Sequence, residues 1–326
     1  MLHPKYNVEI GSAVFKPELS NENISMSISA SMNSPSDIFE GIFRLKGKAV
    51  EIKKKDVVKV SLGYEDGMYK VYQGRVVGVG MNTYDICVTA YSSTFSLSCL
   101  RKDKFYEQRT AGQIVKDLSN LAGIEPGDIE DGMKFPYYAV DSNKNGYEHI
   151  KELAILSGYD VYTDSNDRLV FKKYNPLKFH DLTYGKDIVR VASLDFMKRY
   201  GGVNVIGESP ASVNGQETAH WLKKESMQSS VGGQDDALLI INRAIKDEDT
   251  AKKIAEENLN NVKSHIEIVM DIVGNPEILL GDGVRLNKVP NEILNGDYQV
   301  RSVEHHFEKR SGFMTTVQCK GRSSNE

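Results

Sequence analysis

Residues 277–287, EILLGDGVRLN, decide how the fold is interpreted, because Asp282 lies there between two glycines. Such a segment is either a loop that holds a metal ion or a phosphate, or a turn that leads into a β-strand. A phosphate site needs consecutive free backbone amides that lead into a helix, whereas the residues after this turn have strand character. A calcium loop needs several oxygen ligands, and Asp282 is the single carboxylate of the turn. Glycine and aspartate are ordinary turn residues, so the segment is predicted to be a turn that serves the fold.

Residues 51–60, EIKKKDVVKV, repeat this arrangement near the other end of the chain. Asp56 and Asp282 each follow a Glu-Ile pair at the same distance. In both places a strand, a polar loop, an alternating strand opened by Tyr69 or Tyr298, and a final strand come in the same order. A lysine precedes Asp56, so the glycines are not a fixed feature of the repeat. The repeated order predicts one β unit that occurs twice in the chain.

Side-chain periodicity divides the chain into three regions. Residues 1–100 contain alternating segments such as NISMSISA at 23–30, whose apolar side chains fall on one face of a strand, and they predict a small barrel or sandwich. Residues 101–178 predict a small α/β domain with two helices and a hairpin. Residues 179–326 return to strands, with a long polar loop near 209–237 and a helix near 248–263. The predicted fold class is α+β, mostly β.

Two helices of the middle region carry clear start and stop signals. In TAGQIVKDLSNLAGI, Thr110 and Gln113 have the spacing of a capping box, and Gly123 supplies a stop. The second helix, GYEHIKELAILSG, ends at Gly158. The predicted buried stripe of the first helix consists of Ile114, Val115, Leu118, Leu121 and Ala122.

The bulk composition excludes several classes of protein. At 326 residues the chain is long enough for two or three domains. A formal net charge of −4 argues against a dedicated nucleic-acid-binding protein. Three widely spaced cysteines form neither a disulfide framework nor a zinc site, which favours a reducing compartment. We expect no signal peptide and no membrane anchor, because no apolar run approaches the ~20 residues of a membrane helix.

Three segments in this order resemble the late control protein D family of phage tail hubs. They are TAGQIVKDLSNLAGI, GYEHIKELAILSGYDVYTDSNDRLVFKK, and GNPEILLGDGVRLN with the strands that follow it. The family is similar to the hub half of type VI secretion spike proteins and to hubs of other contractile injection systems. The resemblance spans nearly the whole chain and rests on pattern more than on invariant chemistry.

The resemblance implies two tube-like antiparallel β-barrels, at 1–100 and 179–326, separated by the small α/β domain at 101–178. It implies a homotrimeric baseplate hub whose six barrels form a pseudo-sixfold ring that joins the tail tube to a central spike and nucleates tube assembly. The implied partners are the spike protein, the tail tube or tube-initiator protein, and the baseplate wedge and tape-measure proteins. The implied location is the baseplate of a virion tail or injection particle, assembled in the bacterial or archaeal cytoplasm. No specific nucleic-acid binding is expected.

Several residues are candidates for a catalytic or metal-binding site, but their spacing does not favour either role. His305 and His306 are neighbours on a predicted strand, so their side chains point to opposite faces and cannot easily share one metal ion. A pair of glycosidase carboxylates would have to face each other across a cleft about 5–10 Å wide. Asp235-Asp236 lies in a polar loop, and Glu148 and Glu152 have the spacing of a solvated helix face. We therefore predict no catalytic residue, no cofactor and no metal ligand, and no enzymatic activity.

A run of three lysines and a glycosylation sequon are predicted to have no binding or catalytic role. Lys53, Lys54 and Lys55 precede a strand, where lysines typically protect a sheet edge. The glycosylation sequon at Asn23 has no meaning in a protein that is not exported.

Two alternative functions remain open from the sequence. The first is a peptidoglycan-binding or wall-degrading tail module, which would require an aromatic-lined groove within 101–178. Five tyrosines keep it open, although tyrosines on hairpins and helices are more often packing residues: Tyr137, Tyr138, Tyr147, Tyr159 and Tyr162. The second is a monomeric β-rich enzyme, which would need a concave pocket with convergent ionisable groups.

Overall fold

The computed structural model describes residues 3–17, 22–45, 51–176, 178–195, 200–208, 227–233, 236–263, 266–308 and 311–321. These residues form an α+β fold that is mostly β, as predicted. Thirteen of the described strands belong to one sheet, and three smaller sheets complete the fold. The helices of this described part are too short or too polar to cross a membrane.

The N-terminal region consists of seven strands that pair antiparallel in the order β3-β4-β7-β6-β5-β1-β2. Its core is aromatic: the rings of Phe15 and Phe43 stack with centroids 4.2 Å apart, and both side chains are fully buried. The strands are β1 (Lys5–Ile10), β2 (Ala13–Phe15), β3 (Glu22–Ser31), β4 (Ile38–Arg44), β5 (Val57–Tyr64), β6 (Gly67–Met81) and β7 (Asp85–Tyr91).

The alternation predicted for strand β3 is wrong at its N-terminal end. Met26 and Ile28 are buried as expected, but Asn23 is buried in place of Ile24. The ladder between β3 and β4 shifts register between Asn23 and Ser25, which marks a β-bulge. A bulge adds one residue to the strand and therefore reverses which face the preceding side chains occupy.

The middle region pairs β8 with β10 and places β9 beside the β11–β12 hairpin. The Oγ1 atom of Thr110 accepts the backbone N–H of Gln113 at 3.2 Å, and Gly123 ends the helix at φ +72°, so both predicted signals are confirmed. Leu121, predicted to face inward, is 46% exposed because it lies at the edge of the apolar stripe. The elements are α1 (Phe95–Cys99), β8 (Lys104–Thr110), α2 (Ala111–Ala122), β9 (Pro126–Ile129), β10 (Lys134–Val140), α3 (Gly146–Ser157), β11 (Asp160–Thr163) and β12 (Leu169–Lys172).

The C-terminal region combines a second set of long strands with a three-stranded sheet and one helix. Its strands are β13 (Phe179–Thr183), β14 (Ile188–Asp195), β15 (Gly202–Ile206), β16 (Gln228–Gly232) and β17 (Ala237–Ile241). They are followed by α4 (Glu248–Lys263), β18 (Ile266–Val273), β19 (Gly283–Asn287), a short 3-10 helix (Glu292–Leu294), β20 (Gly296–Glu308) and β21 (Gly312–Gly321).

The polar stretch at 209–237 is not a loop throughout. Gln228–Gly232 is strand β16, which pairs antiparallel with β15, and Ala237 opens strand β17. Glycines and serines conceal this strand in the sequence, since neither residue type signals one. Residues 209–226, which include Trp221, and residues 234–235 lie outside the described residues.

Helix α4 coincides with the helix predicted near 248–263, but its packing partner was not predicted. Asn258 on α4 donates hydrogen bonds from Nδ2 to the carbonyls of Ile155 on α3, at 2.8 Å, and of Ile254, at 2.9 Å. Ala251, Ile254 and Ala255 belong to the same buried cluster as the middle region. The core of the middle region therefore extends to β15 and α4.

The predicted repeat is visible in the pairing of the strands. The order β3-β4-β7-β6-β5-β1 in the N-terminal region matches β14-β18-β21-β20-β19-β13 in the C-terminal region. The ladders between corresponding strands even carry bulges at corresponding residues. The shift between Val76 and Gly78 on β6 corresponds to that between Val300 and Ser302 on β20. The one difference in direction is that β13 runs parallel to β19, whereas β1 runs antiparallel to β5.

The two copies of the repeat are joined edge to edge within the chain. Residues 302–308 of β20 pair antiparallel with residues 25–31 of β3, which makes the two copies one continuous sheet. We call this ladder the internal seam. Among the described strands no ladder closes either copy into a ring. The closed barrels and the boundaries at 1–100, 101–178 and 179–326 therefore stay predictions.

Candidate functional site

The turn at Asp282 holds a strand in place. Its Oδ2 atom accepts the backbone N–H of Leu279 at 3.0 Å, and its carbonyl accepts the N–H of Val300 at 2.9 Å. Gly281 has φ +84°, and a Cβ atom there would lie 2.7 Å from the hydroxyl oxygen of Tyr162. The left-handed backbone and the close tyrosine both require glycine at 281. The segment is a structural turn, as the sequence predicts.

The turn at Asp56 reproduces these contacts. The Oδ2 atom of Asp56 accepts the N–H of Lys53 at 2.8 Å, and its carbonyl accepts the N–H of Val76 at 2.9 Å. Lys55 takes the left-handed backbone that Gly281 has in the other copy, at φ +75°. The two turns are thus the same device, used once in each copy of the repeat.

The internal seam has a counterpart that the chain leaves incomplete. Residues 78–81 of β6 correspond to 302–305 of β20 and, within the described strands, pair along one edge only, with β7. Strand β14 corresponds to β3 and pairs along one edge with β18. In the part of the chain that the structure describes, both strands therefore present a free edge of the kind that recruits another strand.

The exposure of Met81 distinguishes the incomplete edge, which lacks a second neighbouring strand, from the internal seam. Met81 is 65% exposed, whereas its counterpart His305 is 3% exposed under the internal seam. We call residues 78–81 the open β6 edge and residues 189–195 the open β14 edge. These edges were not predicted, because a sequence does not show which strands lack neighbours.

The two histidines do not share a ligand. His305 is buried, and its Nδ1 lies 3.0 Å from the hydroxyl of Thr315, while His306 lies beside Glu304 at 3.0 Å on the exposed face. Burial, together with the neighbouring His306, lowers the pKa of His305 to about 3, so its ring is neutral at physiological pH. Among the described residues no three His, Cys, Asp or Glu side chains converge as metal ligands.

The candidate carboxylates have separate structural partners. Glu148 completes the capping box of α3, where its Oε2 accepts the N–H of Asn145 at 2.7 Å. Glu152 forms an ion pair with Lys144 at 2.6 Å and accepts a hydrogen bond from Asn242. Asp235 lies outside the described residues.

The lysine run and the sequon have local explanations. Lys53 forms an exposed ion pair with Glu51 at 2.9 Å, and its backbone belongs to the Asp56 turn. Asn23 is only 4% exposed, and neither polar atom of its side chain has a hydrogen-bond partner within the described protein. A buried amide is inaccessible to a glycosylating enzyme, so the sequon is not a modification site in the folded chain.

One of the five tyrosines, the half-buried Tyr137, stacks against an exposed aromatic side chain. Phe105 and Tyr137 stack with ring centroids 5.5 Å apart and an interplanar angle of 23°. Tyr138 is buried beside His149 and lines the same cleft. The other three pack elsewhere: Tyr147 donates to the Ser34 carbonyl at 2.9 Å, Tyr159 packs edge-on against Phe171, and Tyr162 lies against Gly281.

The stacked pair lies in a cleft of about 570 Å³ between the β8–β10 ribbon and the segment that joins β17 to α4. Glu152 and Asn242 also line this cleft. Phe105 and Asn242 were not predicted as site residues. The available signal in the sequence was a pair of neighbouring aromatics on each strand of the ribbon: one of each pair must face outwards when the other is buried.

No protein-family model and no curated protein matches the sequence. Solved structures do match over nearly its full length. The 43 kDa tail protein of prophage MuSo2 from Shewanella oneidensis aligns with a TM-score of 0.71 and 15% identity, covering 97% of this chain and 98% of that one. The tail protein from Neisseria meningitidis MC58 aligns with a TM-score of 0.69 and 10% identity, covering 98% and 96%.

The chain has the fold of phage tail proteins. The same fold occurs in an E. coli component of the type VI secretion system, described as structurally similar to the phage T4 tail proteins gp27 and gp5. That protein aligns with a TM-score of 0.61 and 9% identity, covering 97% of this chain and 77% of its own. At these identities the likeness establishes the fold, which agrees with the resemblance seen in the sequence.

Proposed function

We propose that this tail-fold protein is a structural hub, a homotrimer that joins the tail tube to the central spike in a phage tail or contractile injection system. The observation that carries the proposal is the internal repeat with its two open edges. A chain with two similar units gives six units in a trimer, and so matches a sixfold tube from a threefold assembly.

The internal seam supplies a template for the contact between chains. The internal seam pairs β20 with β3, and the counterparts of these strands in the other copy are β6 and β14. The same pairing would form between chains if the open β14 edge of one protomer joined the open β6 edge of the next. The register follows from the paired residues of the internal seam. His305 lies opposite Ile28 there, and the corresponding residues are Met81 and Ser193.

Backbone pairing of this kind also satisfies the polar groups of both edges. Within the described strands, the N–H and C=O groups along the outer side of the open β6 and β14 edges have no ladder partner, and a neighbouring strand would pair them. Three head-to-tail contacts of the same kind close a ring, in which every unit has a neighbour on both sides.

A cysteine cross-link tests the register. We expect Met81→Cys combined with Ser193→Cys, in a Cys99→Ser background, to form a covalent trimer under oxidising conditions. Directly opposed residues on paired strands lie within disulfide reach, at about 5.5 Å between Cα atoms. Non-reducing electrophoresis and native mass spectrometry would measure the product.

The matched control is Met68→Cys combined with Ser193→Cys, since Met68 lies at the far end of the same strand and is also exposed. The control should give no cross-link. A native chain that stays monomeric at all concentrations would contradict the hub itself. A trimer that fails to cross-link would contradict only the register.

The remaining parts of the proposal concern partners and chemistry. The proposed partners are the spike protein and the tube or tube-initiator protein, and the proposed location is the baseplate. Support comes from the fold, which is shared with tail proteins and with a type VI secretion component. We propose a structural role without enzymatic activity. Co-purification with the tube and spike chains of the same gene cluster would test these contacts.

A second function, recognition of cell-wall glycan, is favoured by one specific observation. An aromatic-lined groove lies at the Phe105–Tyr137 pair of the predicted 101–178 domain, and residues 241–246 of the C-terminal region form its other side. The observation supports glycan binding, in which Glu152, held by an ion pair and a hydrogen bond, would contribute an acceptor.

A further inference from the structure

The cleft beside the β8–β10 ribbon combines an aromatic wall with a polar wall. The ribbon buries Tyr106 and Tyr138 on its inner face and presents Phe105 and Tyr137 on its outer face. Phe105 is 57% exposed, although a stacked aromatic pair gains most when it is covered. Phe105 thus offers an apolar ring to a ligand, and the half-buried Tyr137 is stacked against it.

The polar wall has a fixed geometry. The Oδ1 atom of Asn242 accepts the N–H of Ala244 at 2.8 Å, which orients the amide so that Nδ2 donates to Glu152. Lys144 holds the other carboxylate oxygen of Glu152 at 2.6 Å. A carboxylate has about four lone-pair sites, so Glu152 keeps acceptor capacity for a ligand. Polar groups fixed in this way are typical of small-molecule sites.

The charges around the cleft balance. Three carboxylates and three cations line it: Asp141, Glu152, Glu208, Lys144, Arg243 and Lys246. Lys246 is paired with Glu208. A cationic or anionic ligand would gain no net attraction from this set, whereas an uncharged ligand rich in hydroxyl groups could use both donors and acceptors.

We propose that the cleft binds an uncharged pyranose oligosaccharide, whose sugar ring stacks on Phe105, the exposed ring of the aromatic pair, while its hydroxyl groups bond to Glu152 and Asn242. The C–H groups on one face of a pyranose carry partial positive charge and fit the negative face of an aromatic ring. A volume of about 570 Å³ is within the range of ligand pockets. This proposal does not depend on the trimeric hub, because all the named residues belong to one chain.

Saturation-transfer NMR and calorimetry on the full chain would test it, with an N-acetylglucosamine tetramer and a glucose tetramer as probes. We expect saturable binding of at least one probe. Phe105→Ala and Tyr137→Ala should each weaken binding about tenfold, because the first removes the ring on which the sugar stacks and the second removes the ring that holds it in place. Glu152→Gln should weaken it about threefold to tenfold, since it keeps the side-chain shape but loses the charged acceptor.

The matched control is Tyr184→Ala, which removes another exposed tyrosine outside the cleft and should leave binding unchanged. Melting temperature and oligomeric state of every variant would show that the fold is intact. Absence of saturable binding at about 10 mM of either sugar overturns the proposal. So does binding that survives both aromatic substitutions, or saturable binding confined to a tetralysine peptide used as a cationic probe.

Discussion

Asn23 shows how one residue can depart from the pattern of its own repeat. It lies before the bulge of β3, where the other copy has Ile188, and both side chains are buried. The isoleucine suits this apolar position, whereas the amide of Asn23 has no hydrogen-bond partner within the described protein. A buried polar group without a partner costs about 1–3 kcal/mol.

We therefore expect Asn23→Leu, which has the same number of side-chain heavy atoms, to raise the free energy of unfolding by about 1–3 kcal/mol. Urea denaturation with an unchanged m-value would measure the gain. The matched change Ile188→Asn should lower stability by a similar amount. A loss of stability in Asn23→Leu would show that the amide is satisfied in solution.

A second residue-scale prediction concerns Asp37, which is 7% exposed. Burial raises the pKa of Asp37 from 3.8 to about 8, with smaller contributions from the carboxylates of Asp167 and Asp164, while a backbone hydrogen bond from Ser31 opposes the shift. Between these two values the folded chain holds a proton that the unfolded chain has released. The stability linked to Asp37 is therefore complete below pH 3.8 and is lost as the pH rises towards 8.

Asp37→Asn imitates the protonated carboxyl group and should remove this pH dependence. Relative to the native chain, we expect the variant to gain stability at up to about 1.4 kcal/mol per pH unit between pH 4 and pH 8. Thermal unfolding at a series of pH values would measure the difference. Curves that stay parallel over this range would mean that Asp37 ionises normally in the fold.

At the scale of elements, the paired aspartate turns allow a matched comparison. Each turn loses one hydrogen bond to a backbone N–H when its aspartate becomes alanine. Asp282 also lies 3.0 Å from Nε2 of His180, whose side chain is nearly buried, so Asp282→Ala leaves a second polar group without its partner. We expect Asp56→Ala to cost about 1 kcal/mol and Asp282→Ala about 2–3 kcal/mol. Chemical denaturation of the two variants would measure this, and equal costs would show that the histidine contact contributes nothing.

Elements with local signals were predictable, and those that depend on distant partners were not. The capping boxes at Thr110 and Asn145 involve residues three apart, so the sequence contains all the information needed to place α2 and α3. The bulge that buries Asn23 depends on the neighbouring strand β4, and strand β16 depends on β15. Periodicity cannot show either, because the deciding contacts join residues far apart in the chain.

At the scale of the whole molecule, the repeat was visible in the sequence but its consequence was not. The shared order of strands and the aspartate turns indicate two similar units. Which edges are covered depends on the internal seam between β20 and β3, whose paired residues lie about 280 positions apart in the chain. The aromatic cleft likewise combines side chains from distant segments, Phe105 and Asn242. Sequence patterns specify the units, and tertiary contacts determine the surfaces that remain between them.

Met81 provides a test of whether the open β6 edge is covered in the assembled protein. Its side chain is 65% exposed in the single chain, whereas His305, its counterpart on a strand that the internal seam pairs on that edge, is buried. Met81→Glu would place a charge in the contact between protomers, where a buried charge without a partner costs several kcal/mol. We expect it to weaken trimer formation at least a hundredfold, by about 3 kcal/mol per contact, and to leave the stability of the isolated protomer nearly unchanged. Sedimentation velocity over a range of concentrations would measure the first effect, and thermal unfolding of the monomer the second. The control is Met68→Glu, because Met68 is 42% exposed and lies at the far end of the same strand. It should alter neither trimer formation nor the stability of the protomer. A trimer that tolerates Met81→Glu as well as Met68→Glu would place the contact between chains elsewhere.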